Sequence, residues 1–183
     1  LMTGPRPAFV VGAGLTPFGD RAPRTTLDLM ADAAEAALAD AHLSRGDVDG
    51  LLVGYSTTFP HLMLSTAFAE HFGLAPRYGH GIQLGGATGL ATVAAARHLV
   101  AAGASDRMLV VAGENRRTGA SVDTVLSTLA QVGDPVHEVP NGANVPAYYA
   151  LLAARYLHDH GLSERDLAGL AVLMRAHAAR YPG

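Results

Sequence analysis

A glycine-rich turn is the part of this sequence best suited to hold a reacting group. Residues 85–89 read Gly-Gly-Ala-Thr-Gly, and they lie between a predicted strand and a predicted Ala-rich helix that Gly103 ends. The free N–H groups and positive dipole end of a helix N-terminus can hold an oxyanion or a carbonyl oxygen. The alternative is a tight turn in which backbone and helix pack closely. Spacing alone favours that structural role.

A second glycine motif follows another predicted strand. Val11-Gly12-Ala13-Gly14 has the start of a dinucleotide-binding turn. That fingerprint needs a third glycine three residues after Gly14, at the opening of a helix. Position 17 is Pro17, and no helix is predicted before Leu27. We therefore expect no nucleotide at this turn.

The composition argues against metal, disulfide and nucleic-acid chemistry. The chain has no cysteine, which excludes disulfides, thiolate metal sites and a cysteine nucleophile. Its nine histidines show no ligand spacing, so we expect no metal. A net charge of −3 gives no reason to expect nucleic acid or an anionic membrane as a partner. No apolar stretch is long enough to cross a membrane, and we expect a cytoplasmic protein.

Apolar patterning predicts an α/β arrangement in the first part of the chain. Strands are predicted near 8–12, 48–54, 78–84 and 108–113, and helices over 27–42, 61–72 and 87–102. The residues expected to be buried in the strands are Leu52, Val53, Leu109, Val110 and Val111. Alternating strands and helices indicate a layered α/β domain.

The chain changes character after Asn115. Residues 116–144 are irregular and polar, with several prolines and glycines. Asn144 is then placed to cap one helix, and Ser163 to open a last one. We therefore predict two domains, an α/β domain over residues 7–115 and a mostly helical lobe over residues 116–183.

The glycine turn resembles the nucleophile motif of thiolases. That motif is a strand, turn and helix reading Val-Asn-x-x-Cys-x-Ser/Thr-Gly, and residues 82–90 read Ile-Gln-Leu-Gly-Gly-Ala-Thr-Gly-Leu. When the two are aligned on Gly89, the family's cysteine falls on Gly86. A helix N-terminus lowers the pKa of such a cysteine, and the thiolate then forms an acyl-enzyme. Gly86 has no side chain that could do so.

Other segments extend the resemblance along nearly the whole chain. Residues 10–19 look like the opening strand and turn of the sterol-carrier or lipid-transfer branch of thiolases, and residues 109–114 resemble the strand after the nucleophile helix. Residues 161–182 are similar to the family's loop-domain helix, with Tyr181 where an Asn-Pro pair commonly has Asn. The second half of a thiolase carries Gly-His-Pro and Cys-x-Gly motifs, and neither occurs here.

The resemblance implies a thiolase-like layered fold, as half of an α-β-α-β-α sandwich with a helical loop-domain lobe. It implies no catalytic residue in this chain, since Gly86 occupies the nucleophile position. The residues predicted to line an acyl-CoA substrate site are Gly85, Gly86, Ala87 and Gly89. No cofactor other than the acyl-CoA substrate is expected.

Three functions are compatible with a thiolase-like protein that lacks the cysteine. The leading hypothesis is an acyl-CoA-handling protein of the acyltransferase superfamily that cleaves carbon–carbon bonds by a retro-aldol route, together with a small OB-fold partner. The alternatives are a non-catalytic structural or binding subunit and an inactive fragment of a condensing enzyme. The resemblance also implies a homodimer through the strand Arg77 to Leu84, or association with a chain that supplies the second half.

Overall fold

The chain forms two compact units, divided between Ala120 and Ser121. The computed structural model describes residues 6–18, 24–116, 118–142 and 144–181. The first unit is a layered α/β structure, and the second contains helices. Within the described ranges, no helix is both long and apolar enough to span a membrane. The predicted boundary near residue 115 stays a prediction.

A parallel sheet of three strands lies at the centre of the first unit. The strands are β1 (Gly50–Gly54), β2 (Tyr78–Ile82) and β3 (Met108–Val111). β1 is central, and Gly50 lies between Tyr78 of β2 and Met108 of β3. Parallel neighbours require crossover connections, which the helices between the strands provide. Strand existence and order along the chain agree with the prediction for these three segments.

Three helices cover this sheet: α1 (Thr26–Asp40), α2 (Leu64–Phe72) and α3 (Thr88–Ala101). α1 opens with a capping box, in which the Asp28 N–H donates to the Thr25 hydroxyl and the Thr25 N–H donates to the Asp28 carboxylate. α2 begins at Leu64 rather than at His61, because the Met63 N–H donates to Nδ1 of His61 in a turn before the helix.

The core lies between β1 and the first two helices. All five residues of β1 are buried, and Met30, Phe68 and Phe72 pack against the same cluster. Burial is confirmed for four of the five strand residues named above. Val110 is only half-buried, because side chains alternate along a strand and β3 lies at the edge of this sheet.

The predicted strand at 8–12 is wrong. Residues 6–18 contain neither helix nor strand. They lie against α1 instead: a Cβ on Gly14 would clash with the Ala33 carbonyl oxygen, and the Ala13 N–H donates to the Asp40 carboxylate at 2.9 Å. A strand needs backbone hydrogen bonds to a neighbouring strand, and the described strands supply none to this segment. Its apolar composition was therefore an insufficient guide.

The second unit contains α4 (Val122–Ala130), α5 (Val145–His160) and α6 (Glu164–Ala178). α4 lies within the range predicted to be irregular, so that prediction is wrong there. Ser121 caps α4 by accepting the Thr124 N–H at 3.1 Å. As predicted, Asn144 caps α5 by accepting the Ala147 N–H, and Ser163 and Asp166 form a capping box before α6.

Asp49 joins the amino-terminal ends of the three strands. Its Oδ1 accepts hydrogen bonds from the Ser105 hydroxyl at 2.6 Å and the Arg107 N–H at 2.8 Å, and its Oδ2 accepts one from the Arg77 guanidinium at 2.9 Å. Its carbonyl oxygen accepts the Arg77 N–H at 2.8 Å. Burial disfavours the charged form, but these hydrogen bonds outweigh burial and lower the pKa of Asp49 to about 2.

We predict that D49N lowers the free energy of unfolding by about 1–2 kcal/mol at pH 7. One pKa unit corresponds to about 1.4 kcal/mol, and partial exposure of the carboxylate to water weakens the effect. Because the folded pKa lies below the unfolded value of 3.8, this stabilisation is complete above about pH 4 and is lost as the pH falls toward 2. Urea unfolding from pH 2 to 7 measures it.

The matched control is D106N. Asp106 is the neighbour of Ser105, but its carboxylate pairs with Arg6 at the surface, where ion pairs contribute little. The Asp106 N–H that donates to Asp49 is retained in this variant. Equal losses in D49N and D106N would contradict the role assigned to Asp49.

Candidate functional site

The glycine turn lies where the carboxyl ends of the parallel strands meet. Ligands of open α/β sheets bind at this edge. Gly54, the last residue of β1, is closely packed here, since a Cβ on it would lie 2.9 Å from the Cβ of Ala112 and 3.2 Å from Cγ2 of Thr88. The start of α3 and the residue that follows β3 therefore both pack closely against the end of β1.

Thr88 holds the turn in shape. Its hydroxyl accepts the Leu84 N–H at 2.9 Å and donates to the Gly85 carbonyl at 2.7 Å. The side chain is buried, and its main-chain carbonyl accepts the hydroxyl of Thr92. Thr88 was not among the residues predicted from the sequence to bind substrate. The sequence did contain a signal for its role, a hydroxyl residue at the start of a predicted helix, because such side chains often form hydrogen bonds to nearby backbone groups.

The four residues predicted to bind substrate are adjacent and exposed. Gly85 to Ala87 form a single 3-10 turn, and Gly89 lies in the first turn of α3. Gly85 has φ +55°, a left-handed conformation that favours glycine. A Cβ on Gly85, Gly86 or Gly89 would have no neighbouring atom within 4 Å. The space above the turn is therefore open, and the binding role of these residues stays a prediction.

This arrangement can polarise a carbonyl but cannot attack one. The Ala87 N–H donates to the Leu84 carbonyl and the Thr88 N–H to the Gly85 carbonyl. The donors left for a ligand are therefore other N–H groups of the turn and of the first turn of α3, at the positive end of the helix dipole. Such donors stabilise the negative charge that develops on a carbonyl oxygen. Gly86 offers no nucleophile. Among the described residues, no group of three or more His, Asp or Glu side chains is placed to hold a metal.

A carboxylate that sequence analysis missed lies at the same edge of the sheet. Oε1 of Glu114 accepts the Thr57 N–H at 2.7 Å and the Thr57 hydroxyl at 2.9 Å. Oε2 accepts the Thr58 N–H at 3.2 Å, the Thr58 hydroxyl at 2.9 Å and the Ser56 hydroxyl at 3.4 Å. Burial opposes ionisation, but these bonds and Arg116 outweigh burial and lower the pKa of Glu114.

The signal for this cluster was weak in the sequence. Glu114 directly follows a strand segment, and Ser56-Thr57-Thr58 follows a neighbouring strand. Because the two segments are 56 residues or more apart, only the pairing of β1 with β3 brings them together.

An open groove of about 530 Å³ borders β2. Its lining includes Tyr55, Ser56, His61, Met63, Ile82 and Gln83. The ring of His61 stacks on Phe59 with a centroid separation of 5.6 Å, which holds that wall of the groove in place. Gln83, which follows β2 and lines the groove, lies two residues before Gly85 in the chain.

Comparison with known proteins gives a consistent result. The family model for the thiolase N-terminal domain matches residues 8–182. The 17-hydroxy-3-oxo-4-pregnene-20-carboxyl-CoA lyase of Mycobacterium tuberculosis is 35% identical, over 96% of this chain and 46% of that protein. The steroid side-chain-cleaving aldolase of Thermomonospora curvata is 32% identical, over 97% of this chain and 46% of that protein. The chain thus spans about half the length of these curated relatives.

A solved structure shows the same fold. The Ltp2-ChsH2(DUF35) aldolase superposes with a TM-score of 0.70 at 29% sequence identity. The match covers 94% of this chain and 43% of the solved chain. The thiolase-like layered α/β fold is therefore confirmed over the length of this sequence.

The two glycines of the turn should respond differently to an added methyl group. We predict that G85A lowers the free energy of unfolding by about 1 kcal/mol, because Gly85 has a positive φ that an L side chain disfavours. We predict that G86A changes it by less than about 0.5 kcal/mol, because its Cβ would meet no atom within 4 Å. Urea unfolding of both variants tests this, and equal losses would contradict the described turn geometry.

Proposed function

The chain belongs to the thiolase family through its N-terminal domain, and on this basis we propose that it forms part of a carbon–carbon lyase acting on β-hydroxyacyl-CoA thioesters. The observation that carries the proposal is the open glycine turn at the start of α3, which offers carbonyl-polarising donors and no nucleophile. A retro-aldol cleavage needs donors that polarise the thioester carbonyl, and it does not need a nucleophile. The names of the two curated relatives, a lyase and an aldolase, support the same reaction class.

The chemistry follows from the substrate that the first relative is named for. In 17-hydroxy-3-oxo-4-pregnene-20-carboxyl-CoA, the hydroxyl is on the carbon β to the thioester carbonyl. A base removes the hydroxyl proton, the bond between the α and β carbons breaks, and the β carbon becomes a ketone. The electron pair passes into the thioester as an enolate. Protonation of the α carbon then yields a shorter acyl-CoA, and no covalent enzyme intermediate forms.

In this reaction the chain supplies binding and charge stabilisation. N–H groups of the turn and of the first turn of α3, other than those of Ala87 and Thr88, would hold the thioester oxygen as it gains negative charge. The open space at Gly85, Gly86 and Gly89 would admit the acyl group close to the backbone. Acyl-CoA is the substrate, and no further cofactor is required.

We propose that a partner or a longer polypeptide supplies the acid–base groups. The name of the solved aldolase pairs two components, which supports an assembly of this kind. A small OB-fold protein remains the partner that we propose for this chain.

The proposal is tested with the full-length protein, alone and with its partner. Incubation with 17-hydroxy-3-oxo-4-pregnene-20-carboxyl-CoA should yield a 17-ketosteroid and propanoyl-CoA, detected by mass spectrometry. No acyl adduct of the protein should appear, because position 86 carries no nucleophile. Binding of the thioester without cleavage would favour a non-catalytic subunit. Thiolysis of acetoacetyl-CoA, or a stable acyl adduct, would contradict the proposal.

A larger side chain in the turn should block the reaction without unfolding the protein. We predict that G86V lowers kcat/KM by about tenfold or more, because the side chain fills the space proposed for the acyl group. G46A is the matched control, since Gly46 lies in another turn with only ordinary contacts around a Cβ. Unchanged kinetics in G86V would exclude the turn from the site. G86C alone should not create thiolase activity.

We also propose that the chain associates through β2 and α3. Within the described residues β2 pairs only with β1, so its other edge presents unpaired backbone groups. Leu90 and Val93 of α3 are 82% and 50% exposed. Such surfaces favour association, either as a homodimer through the segment Arg77 to Leu84 or with a chain that supplies a second half.

Sedimentation at micromolar concentration tests the association. We predict an oligomer whose amides at 79–83 exchange slowly with solvent. The double variant L90D/V93D should weaken the association, whereas V136D, at an exposed position of the second unit, should not. A monomer with freely exchanging amides at 79–83 would contradict this proposal.

A further inference from the structure

The carboxylate of Glu114 takes no part in the reaction proposed above, yet it is the most heavily bonded acidic group at that edge of the sheet. It accepts hydrogen bonds from the hydroxyls or N–H groups of Ser56, Thr57 and Thr58. These three residues form a segment with no helix or strand of its own. The position of such a segment depends on the contacts that it makes.

The segment Ser56–Thr58 is tied to further elements besides Glu114. The Thr58 hydroxyl oxygen also lies 2.9 Å from that of Thr26, the first residue of α1, and it accepts the Asn115 N–H at 3.1 Å. Phe59 donates its N–H to the Ser56 hydroxyl at 3.1 Å. Glu114 is therefore the centre of a polar cluster that joins the end of β3, the start of α1 and the chain after β1.

The same segment adjoins the groove beside β2. The Tyr55 N–H donates to the Ile82 carbonyl at 3.1 Å, and Tyr55 and Ser56 line the groove together with Gln83. Residues 60–66, which also line the groove, follow the segment after Phe59. A shift of Ser56–Thr58 would therefore move the lining residues that flank it in the chain, Tyr55 on one side and residues 60–66 on the other.

We infer that Glu114 is a positioning residue for the acyl site: it holds Ser56–Thr58 against the end of β3 and thereby keeps the groove preformed for the bulky part of the acyl group. The inference rests on the proposed function, because it concerns how the same thioester is bound. A preformed wall reduces the ordering that substrate binding would otherwise require. Loss of the wall raises KM more than it lowers kcat, because the thioester-polarising turn at α3 is untouched.

The cluster requires a carboxylate rather than a neutral amide. Both oxygens of Glu114 face backbone N–H groups, that of Thr57 on one side and that of Thr58 on the other. In E114Q the side-chain NH₂ would face one of these N–H groups, donor against donor. A backbone N–H cannot reverse its direction, so one bond is lost outright. E114Q therefore removes a hydrogen bond although glutamine and glutamate are similar in size.

The experiment measures steady-state kinetics of the full-length protein with its partner on 17-hydroxy-3-oxo-4-pregnene-20-carboxyl-CoA. We expect E114Q to raise KM about tenfold, the size expected for a lost hydrogen bond to a charged group, with kcat changed less than about threefold. Hydrogen exchange should become faster at Thr57 and Thr58 and stay unchanged at Leu51–Val53 in β1. T57V keeps its N–H bond to Glu114 and loses only the hydroxyl bond, so its KM should rise less.

Each outcome decides the inference. If the wild-type protein is active and E114Q has the same KM, the inference is overturned and the proposed function stands. A fall in kcat with unchanged KM overturns it as well. If E114Q fails to fold, T57V decides, because a milder rise in KM supports the inference and an unchanged KM overturns it. A wild-type protein that neither binds nor cleaves the thioester overturns the proposed function and this inference together. D106N is the control whose kinetics should match the wild type.

Discussion

The carboxylate of Asp49 is the interaction on which the three-stranded sheet most depends. It lies just before β1 and receives donors from the segment before β3 and from Arg77, which directly precedes β2. The strand order places β1 between the two strands that follow it in the chain, and its neighbour β3 is not consecutive with it. A shared acceptor at their starting points aligns the strands, because charge-assisted hydrogen bonds are short and directional. The register of the sheet then determines which residues lie together at the carboxyl ends of the strands.

The candidate site lies at the carboxyl ends of the strands. Gly54 allows α3 to approach the end of β1. Beside that contact, the Thr88 hydroxyl holds the glycine turn through hydrogen bonds to Leu84 and Gly85. Glu114 secures the segment that leaves β1 on the other side. Two ionised carboxylates thus act at opposite ends of one small sheet. Asp49 aligns the strands, and Glu114 orders the loop that borders the groove.

The thiolase N-terminal domain here carries a turn without the family's nucleophile. The turn and helix that resemble the family's nucleophile motif are present, with Gly86 at the position predicted for the cysteine. Stabilisation of an oxyanion and nucleophilic attack are separate contributions to acyl chemistry, and a fold can retain the first without the second. The relationship to a steroid side-chain lyase and aldolase is consistent with that separation. Fold alone would not support this argument, because one fold serves many reactions.

The sequence by itself determined the family, three strands, the helices that cover them and the identity of the glycine turn. These features are local, since apolar periodicity and capping residues act within a few positions of the chain. It failed at 8–12, where an apolar run found no neighbouring strand, and at 122–130, where Ser121 caps a short helix in a segment that looked irregular. Only the tertiary structure brought Glu114 to Thr57 and Thr58, and Asp49 to Ser105. Those partners are more than 50 residues apart, and nothing in local spacing encodes which strands lie side by side.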